Sequence, residues 1–372
     1  MEALSDKTRC NLKPVRKMKG LSQSRLAERV GVKRQAIYDM ESGKYVPNTA
    51  VALRMAKELG CRVEDLFSLS DSDETRPVTL IGGADPGNSR VSLVRVRDRL
   101  IAYPLDAGWM PGEGFQASDG VLLPDGRNAR VLQREEDLEK KILLLGCDPA
   151  FSILSAHASR WAAEARVQCR FASSRLALER LAEGCAHIAG SHLHNPSSIE
   201  SNVALARTLL PGAGAIVVAF SFFEEGLMVV RGNPHGIRNV ADLANPGVKF
   251  VNREAGAALR TLLDEFLAGA GVSAEDVAGY DRLVSSHGRG AQMVAYGLAD
   301  AALGLRAVAE AYGLDFVSLQ AVRCDLVIPC DFLDHPTVKV LMDVLQTRSL
   351  REELASLPGY ESSCTGELIG RI

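Results

Sequence analysis

The sequence predicts a multidomain protein, with an all-α head over residues 1–70, a small β-rich connector over 71–140 and an α/β body over 141–372. Three observations predict it. Apolar residues in the head recur at helical spacing in short bursts separated by turn formers. From residue 141 onward, short apolar runs of strand length alternate with helical patterns, which implies largely parallel sheets. Charge divides the chain as well: residues 1–69 hold 14 Lys and Arg against 8 Asp and Glu, and the remainder holds 29 against 38. A basic head on an acidic body places the meeting with any polyanion in the head.

Bulk composition bounds the rest. The chain has 372 residues, 47% hydrophobic and 24% charged, with a net charge of −3, which excludes wholesale disorder. Residues Met1 to Cys10 are polar and charged, with no secretory signal in view, and the longest apolar stretch, 213–223, falls well short of the ~18 residues needed to span a bilayer. The expectation is a cytoplasmic protein without membrane contact. Eight scattered cysteines without a CxxC pair fit reduced thiols, with no metal and no cofactor.

In the head, Leu12, Val15 and Met18 form the first apolar stripe, closed by Lys19-Gly20. Leu26, Ala27 and Val30 form the second, opened by the N-cap former Ser22 and closed by Gly31. Ala36, Ile37 and Met40 form the third, and Ala52, Leu53, Ala56 and Leu59 the fourth, after Pro47-Asn48-Thr49. Val63, Leu66 and Phe67 make a last short turn. With the apolar side of the third helix inward, Lys33, Arg34, Gln35, Tyr38 and Asp39 face outward or flank that face. Arg and Gln there suit guanine and adenine edges in the major groove, while Lys33 and Lys44 suit phosphates. Ser22 and Gln23 start the second helix, where backbone N–H groups can meet a phosphate.

Leu21-Ser22-Gln23, Leu26-Ala27, Gly31-Val32, Ile37, Glu41-Ser42-Gly43-Lys44, Pro47, Leu59-Gly60 and Glu64-Asp65-Leu66-Phe67 closely resemble the phage-repressor/Cro-like helix-turn-helix family. The resemblance implies an operator in double-stranded DNA as partner and an ion pair between Arg16 and Glu41. Lys33 departs from it, standing where that family often has a Ser or Thr cap.

Ser70-Asp71-Ser72-Asp73-Glu74 reads as a short acidic linker, followed by brief strand-like runs between turn formers. Arg90, Arg95, Arg97 and Arg99 read as a solvated strand face ahead of a DNA contact. In the body the strand-to-helix turns are polar: Cys147-Asp148-Pro149, Ser191-His192-Leu193-His194-Asn195, Asn252-Arg253-Glu254-Ala255-Gly256 and Ser285-Ser286-His287-Gly288-Arg289. Ligands in α/β sheets sit beyond the carboxyl ends of strands, against such turns. His192 and His194 make an HxH without a third ligand nearby, so they read as loop histidines ahead of a metal site. Arg260 pairs at i+4 with Asp264 or reaches a ligand, and Cys147 reads as a buried, inert thiol.

Gly146-Cys147-Asp148-Pro149, His187 to Leu193, Glu225-Gly226-Leu227 with Gly232-Asn233-Pro234, Asn252-Arg253-Glu254 with Arg260, His287, Gly297 to Asp300, and Pro358-Gly359-Tyr360 resemble the type-II periplasmic-binding-protein superfamily. That branch is attached to bacterial helix-turn-helix regulators. The resemblance implies two lobes joined by crossing segments near residues 223–232 and 305–316, the second lobe spanning about 232–306, with a ligand cleft between them. Relatives are associated with molybdate- or tungstate-type oxyanions or related small molecules. Gly256-Ala257-Ala258-Leu259-Arg260 departs from the usual Gly-Ser-Gly pattern, removing a hydroxyl from a simple oxyanion pocket. The expected ligand contacts are Asp148, Ser191, His192, Asn252, Arg253, Gly256, Arg260, Ser286 and His287.

Together these readings lead to a homodimeric, sequence-specific transcriptional regulator controlled by a small polar or anionic ligand. A thiol- or metal-responsive regulator is the alternative. An enzyme is a further one, although the body lacks a GxSxG elbow, a P-loop and an HExxH.

Overall fold

Ser22 opens the second helix of the head by accepting the Arg25 N–H at 3.1 Å, and Gly31 closes it in the left-handed conformation, φ 76°. The computed structural model describes residues 8–69, 75–82, 89–105, 116–193, 201–212 and 214–372. The helices of the head are α1 (Leu12–Met18), α2 (Gln23–Val30), α3 (Arg34–Glu41), α4 (Thr49–Leu59) and α5 (Val63–Leu66). Leu12, Leu26, Val30, Ile37, Met40, Met55, Leu59 and Leu66 form their common core. The apolar stripes place these helices correctly, with two exposed members, Met18 and Leu53. Met18 is 80% exposed, because α1 ends there and its last turn faces water.

The described residues fall into two units, one drawn from Met1–Pro77 with Ser118–Leu132, the other from Val78–Ala117 with Gln133–Ile372. The 71–140 stretch is therefore divided between them. In the first unit, Thr75–Pro77 and Gly120–Leu122 each pair antiparallel with Asn128–Val131. In the second, the hairpin Arg90–Val96/Arg99–Pro104 joins the body. Val94, Val96, Ile101 and Tyr103 enter the body's main core, Tyr103 donates to Cys185 O at 3.0 Å, and Lys141 donates to Ser92 at 3.0 Å. The hairpin arginines carry partners on their exposed side: half-buried Arg95 pairs with Glu135, exposed Arg97 with Asp331 at 2.7 Å, and exposed Arg99 bonds the carbonyls of Glu183 and Gly184. The acidic linker at 70–74 lies outside the described residues.

The body is built on one mixed sheet. Its strand order is Arg166–Phe171, Lys141–Gly146, Ile188–Ser191, Asp315–Pro329, Ala215–Val229, Ala301–Leu305, Phe250–Arg253 and Leu283–Val284. Parallel pairing holds at the two ends, but the centre is antiparallel, which corrects the expectation of largely parallel sheets. The reason is a pair of 15-residue strands, Ala215–Val229 and Asp315–Pro329, each of which reads in sequence as two separate apolar runs. These strands run through both lobes and make the crossings. On one side lies the core around Leu144, Phe151, Leu178, Phe220 and Leu341. On the other lie the cores around Phe250, Leu259 and Leu263 and around Met228, Val251 and Ala302.

His187 gives the first lobe a pH signature. It is 1% exposed, and its Nδ1 accepts the Leu143 N–H at 3.1 Å. Burial, with His335 beside it, pushes its pKa from 6.5 down to about 3. Folded His187 thus stays neutral where the unfolded chain takes up a proton. Its contribution is complete above the unfolded value and is lost as pH falls from about 6.5 toward about 3, at about 1.4 kcal/mol per pH unit. In urea titrations the body's midpoint should fall between pH 6.5 and about 5, and fall less in His187→Gln. Equal slopes in both proteins would contradict this.

Candidate functional site

The head presents one polar helix face. Lys33, Arg34 and Gln35 are exposed at the start of α3, and Tyr38 is exposed one turn on. Gln35 donates to Asp39 at 3.0 Å, a contact between exposed side chains that a base edge can replace. The Lys44 ammonium lies 5.9 Å from the centre of the Tyr38 ring. Lys33 is the N-cap of α3 and makes no side-chain cap bond, so the departure noted in the sequence leaves a cation at the helix start. Behind this face the Arg16 guanidinium meets Glu41 through Nε–Oε1 at 2.5 Å and Nη2–Oε2 at 3.1 Å, and donates to Leu21 O. Half-buried Gln23, at the start of α2, donates to the same carboxylate at 2.8 Å. Ser22 offers its exposed turn, with its hydroxyl oxygen accepting from Arg25.

The body holds a cavity of about 470 Å³, lined from both lobes by residues that include Asp148, Phe151, Phe171, Ser286, His287, Tyr312 and Tyr360. Beside it a void of about 10 Å³ is lined by Cys147, Ser174, His192, Arg253 and His287. Five of the nine expected ligand residues thus meet here. Ser191, Asn252, Gly256 and Arg260 line neither space. Ser191 donates to Asn202 at 3.1 Å inside the first lobe. Asn252 spans Tyr280 O and the Arg253 N–H. Gly256 is an exposed turn residue at φ 89°. Arg260 donates to Arg253 O, stacks 4.1 Å from the Tyr280 ring centre and lies 3.6 Å from Asp264.

Each lining polar group has a definite state. Asp148 is buried after the strand Lys141–Gly146. Its Oδ1 accepts from Ala150 N–H at 2.8 Å and Tyr360 at 2.7 Å, its Oδ2 from Ser221 at 3.1 Å. Burial raises its pKa against those three donors. His192 stands between Cys147 Sγ at 3.2 Å and Glu225 at 3.1 Å. Burial acts to neutralise it, and the neighbouring sulfur and carboxylate reverse that, holding its pKa well above the usual value.

Arg253 is 2% exposed. Its Nε and Nη2 donate to Glu254, further contacts reach Val284 O and Ser285 O, and it lies 5.3 Å from the Phe171 ring centre. Its Nη1 donates to His287 Nδ1 at 3.2 Å. Burial and the adjacent guanidinium push the His287 pKa well down. His287 is thus neutral, and Arg253 is already paired with Glu254. That pairing makes Arg253→Ala a folding variant as well as a binding one. The walls Phe171 and Tyr312 were not anticipated as site residues, and Glu225, 0% exposed, lies beside His192 without lining either space. Ser286 caps the helix His287–Ala295 by accepting from Arg289 N–H. His194 lies outside the described residues. Among the described residues no group of three or more His, Cys, Asp or Glu is placed to hold a metal, and no helix is long and apolar enough to cross a membrane.

Residues 155–346, more than half of the chain, match the model of the PBP superfamily domain. The chain belongs to the PBP superfamily. Residues 12–66 match a helix-turn-helix model, so the protein joins a helix-turn-helix head to a PBP-like ligand-binding body. Among relatives, the uncharacterized protein YvgK of Bacillus subtilis is 29% identical over 240 residues, covering 64% of this chain and 77% of its own. An uncharacterized HTH-type transcriptional regulator of Methanothermobacter thermautotrophicus is 49% identical over 57 residues, covering 15% of this chain and 83% of its own. Among solved structures, Peb3 from Campylobacter jejuni superposes with a TM-score of 0.41 at 17% identity, over 59% of this chain and 99% of that one. The two PBP-like lobes are those described above, with the cavity between them.

Proposed function

We propose that this protein is a cytoplasmic, homodimeric transcriptional regulator that reads operator DNA with α3 and is controlled by a small polar or anionic ligand bound between its lobes. One observation carries the reading: a helix-turn-helix face of exposed Lys33, Arg34 and Gln35 belongs to the same chain as a two-lobed PBP-like cavity. In this reading Arg34 and Gln35 contact base edges, with Tyr38 and Asp39 flanking them. Lys33, Lys44 and the Ser22 end of α2 contact phosphates. Two heads supply two half-sites a DNA turn apart, ~34 Å. The ligand acts by favouring one arrangement of the lobes along the crossing strands, a population shift that requires different affinities for the two states.

The test is selection of binding sites from random DNA by the full chain. Arg34→Ala and Gln35→Ala should each relax one or two base positions, at about 1–3 kcal/mol per lost bidentate contact, while Lys44→Ala weakens all sequences alike. Unchanged selected sites in the double variant Arg34→Ala/Gln35→Ala would remove α3 as the reader. Sedimentation on the selected site measures the stoichiometry, for which the reading requires two chains.

A further inference from the structure

Beside the cavity the two lobes touch through one aromatic ring. Phe171 is the last residue of Arg166–Phe171, the edge strand of the sheet in the first lobe, and it is 43% exposed. Its ring nonetheless has partners in the second lobe. The Arg253 guanidinium carbon lies 5.3 Å from the ring centre. The His287 ring meets Phe171 edge-on, with centroids 6.2 Å apart and planes at 78°. Phe171 also lines the cavity of about 470 Å³ together with Ser286, His287 and Gly288 of the second lobe.

The second-lobe half of this contact is fixed by its own lobe. Arg253 is anchored by Glu254, His287 and the carbonyls of Val284 and Ser285, and Ser286 caps the helix that starts at His287. All of those partners stay with the second lobe when the lobes part. What parting removes is the ring, and with it the cover over two side chains that are only 2% and 4% exposed, Arg253 and His287. A desolvated cation–π contact and an edge-to-face pair together shift an equilibrium by about tenfold or more. Next to the ring the lobes pack closely: Cys147, Ser174 and His192 of the first and Arg253, Leu259 and His287 of the second line a void of only about 10 Å³.

We propose that Phe171 is a clasp between the lobes: seated on Arg253 and His287, it holds them together over the void, and opening requires the ring to leave that seat. The clasp presupposes the two-lobed ligand-binding reading above, and it sets the balance between the two arrangements of the lobes. Cys147, 8% exposed and lining both spaces, reports opening in the full chain. Cys185, 2% exposed in the core of the first lobe, reports unfolding. The test is mass spectrometry of iodoacetamide labelling, resolved by peptide, at these two thiols. Phe171→Ala should raise the Cys147 rate about tenfold or more and leave Cys185 unchanged. Phe171→Leu keeps apolar bulk without a ring face and should raise the Cys147 rate by a similar factor. Phe171→Tyr keeps the ring and should stay within about twofold of the wild type. Three results would overturn the clasp: an unchanged Cys147 rate in Phe171→Ala, a wild-type rate in Phe171→Leu, or Cys147 and Cys185 rising together. Neither ligand nor DNA is added, so the clasp and the proposed function fail separately. A protein whose Cys147 rate ignores Phe171 but whose DNA affinity responds to a cavity ligand keeps the proposed function and loses only the clasp.

Discussion

Glu41→Ala should unfold the head at temperatures the body survives, at a cost of about 3–5 kcal/mol. Its carboxylate is the hub of the domain: Arg16 reaches it twice and Gln23 once, with only 8% and 4% of the Arg16 and Glu41 side chains exposed. Removing it leaves a buried guanidinium with Leu21 O as its remaining acceptor. Although burial acts to raise the Glu41 pKa, the donors from Arg16 and Gln23 win and lower it. Its stabilisation is therefore present above the ordinary glutamate range and is lost as pH falls through the depressed value. Calorimetry of the full chain should show an early transition in Glu41→Ala, accompanied by loss of DNA binding at temperatures where the wild type binds. A shift equivalent to less than about 1 kcal/mol would mean that the pair is solvated and that the burial is misread.

Gly226→Ala should destabilise the crossing between the lobes by about 3 kcal/mol, the upper end for overpacking. A Cβ at Gly226 would stand 2.1 Å from Val317 O and 2.8 Å from Phe316 Cζ. Val317 O is backbone of the partner strand and cannot rotate away. The position also sits at a register shift between Glu225 and Gly226, where the long strands pass from one lobe to the other. The strands must part locally to admit the methyl group. Hydrogen exchange should accelerate at Phe316, Val317 and the flanking amides, with a lower melting temperature for the body. Unchanged exchange there would place the tolerance for strain elsewhere.

How far the sequence reveals the molecule depends on how local the signal is. Helix α2 was legible because cap, apolar stripe and left-handed glycine all lie within ten residues, at Ser22, Leu26, Val30 and Gly31. The long strand Ala215–Val229 was not, because Glu224-Glu225 reads as a solvated break, whereas Glu225 is wholly buried beside His192. The turns bearing Asp148, His192, Arg253, Ser286 and His287, each polar in the sequence, line two adjoining spaces. Their states were not legible, since pairing between Arg253 and His287, 34 positions apart, is a property of the fold. The walls escaped for a similar reason: Phe171 and Tyr312 carry the pattern of ordinary core residues, and only the arrangement of lobes leaves them facing a space.

The central claim is that occupancy of the cavity and affinity for DNA are linked. The most direct measurement is fluorescence anisotropy of the full chain on its selected site, with and without a saturating amount of a compound that calorimetry places in the cavity. Linkage predicts that the apparent Kd for DNA changes by about fivefold or more. It also predicts that Ala311→Trp, which fills the cavity from an exposed helix position, abolishes the change while keeping the ligand-free affinity. An operator affinity identical at zero and saturating ligand would contradict the account, because a ligand without differential affinity for two states shifts nothing.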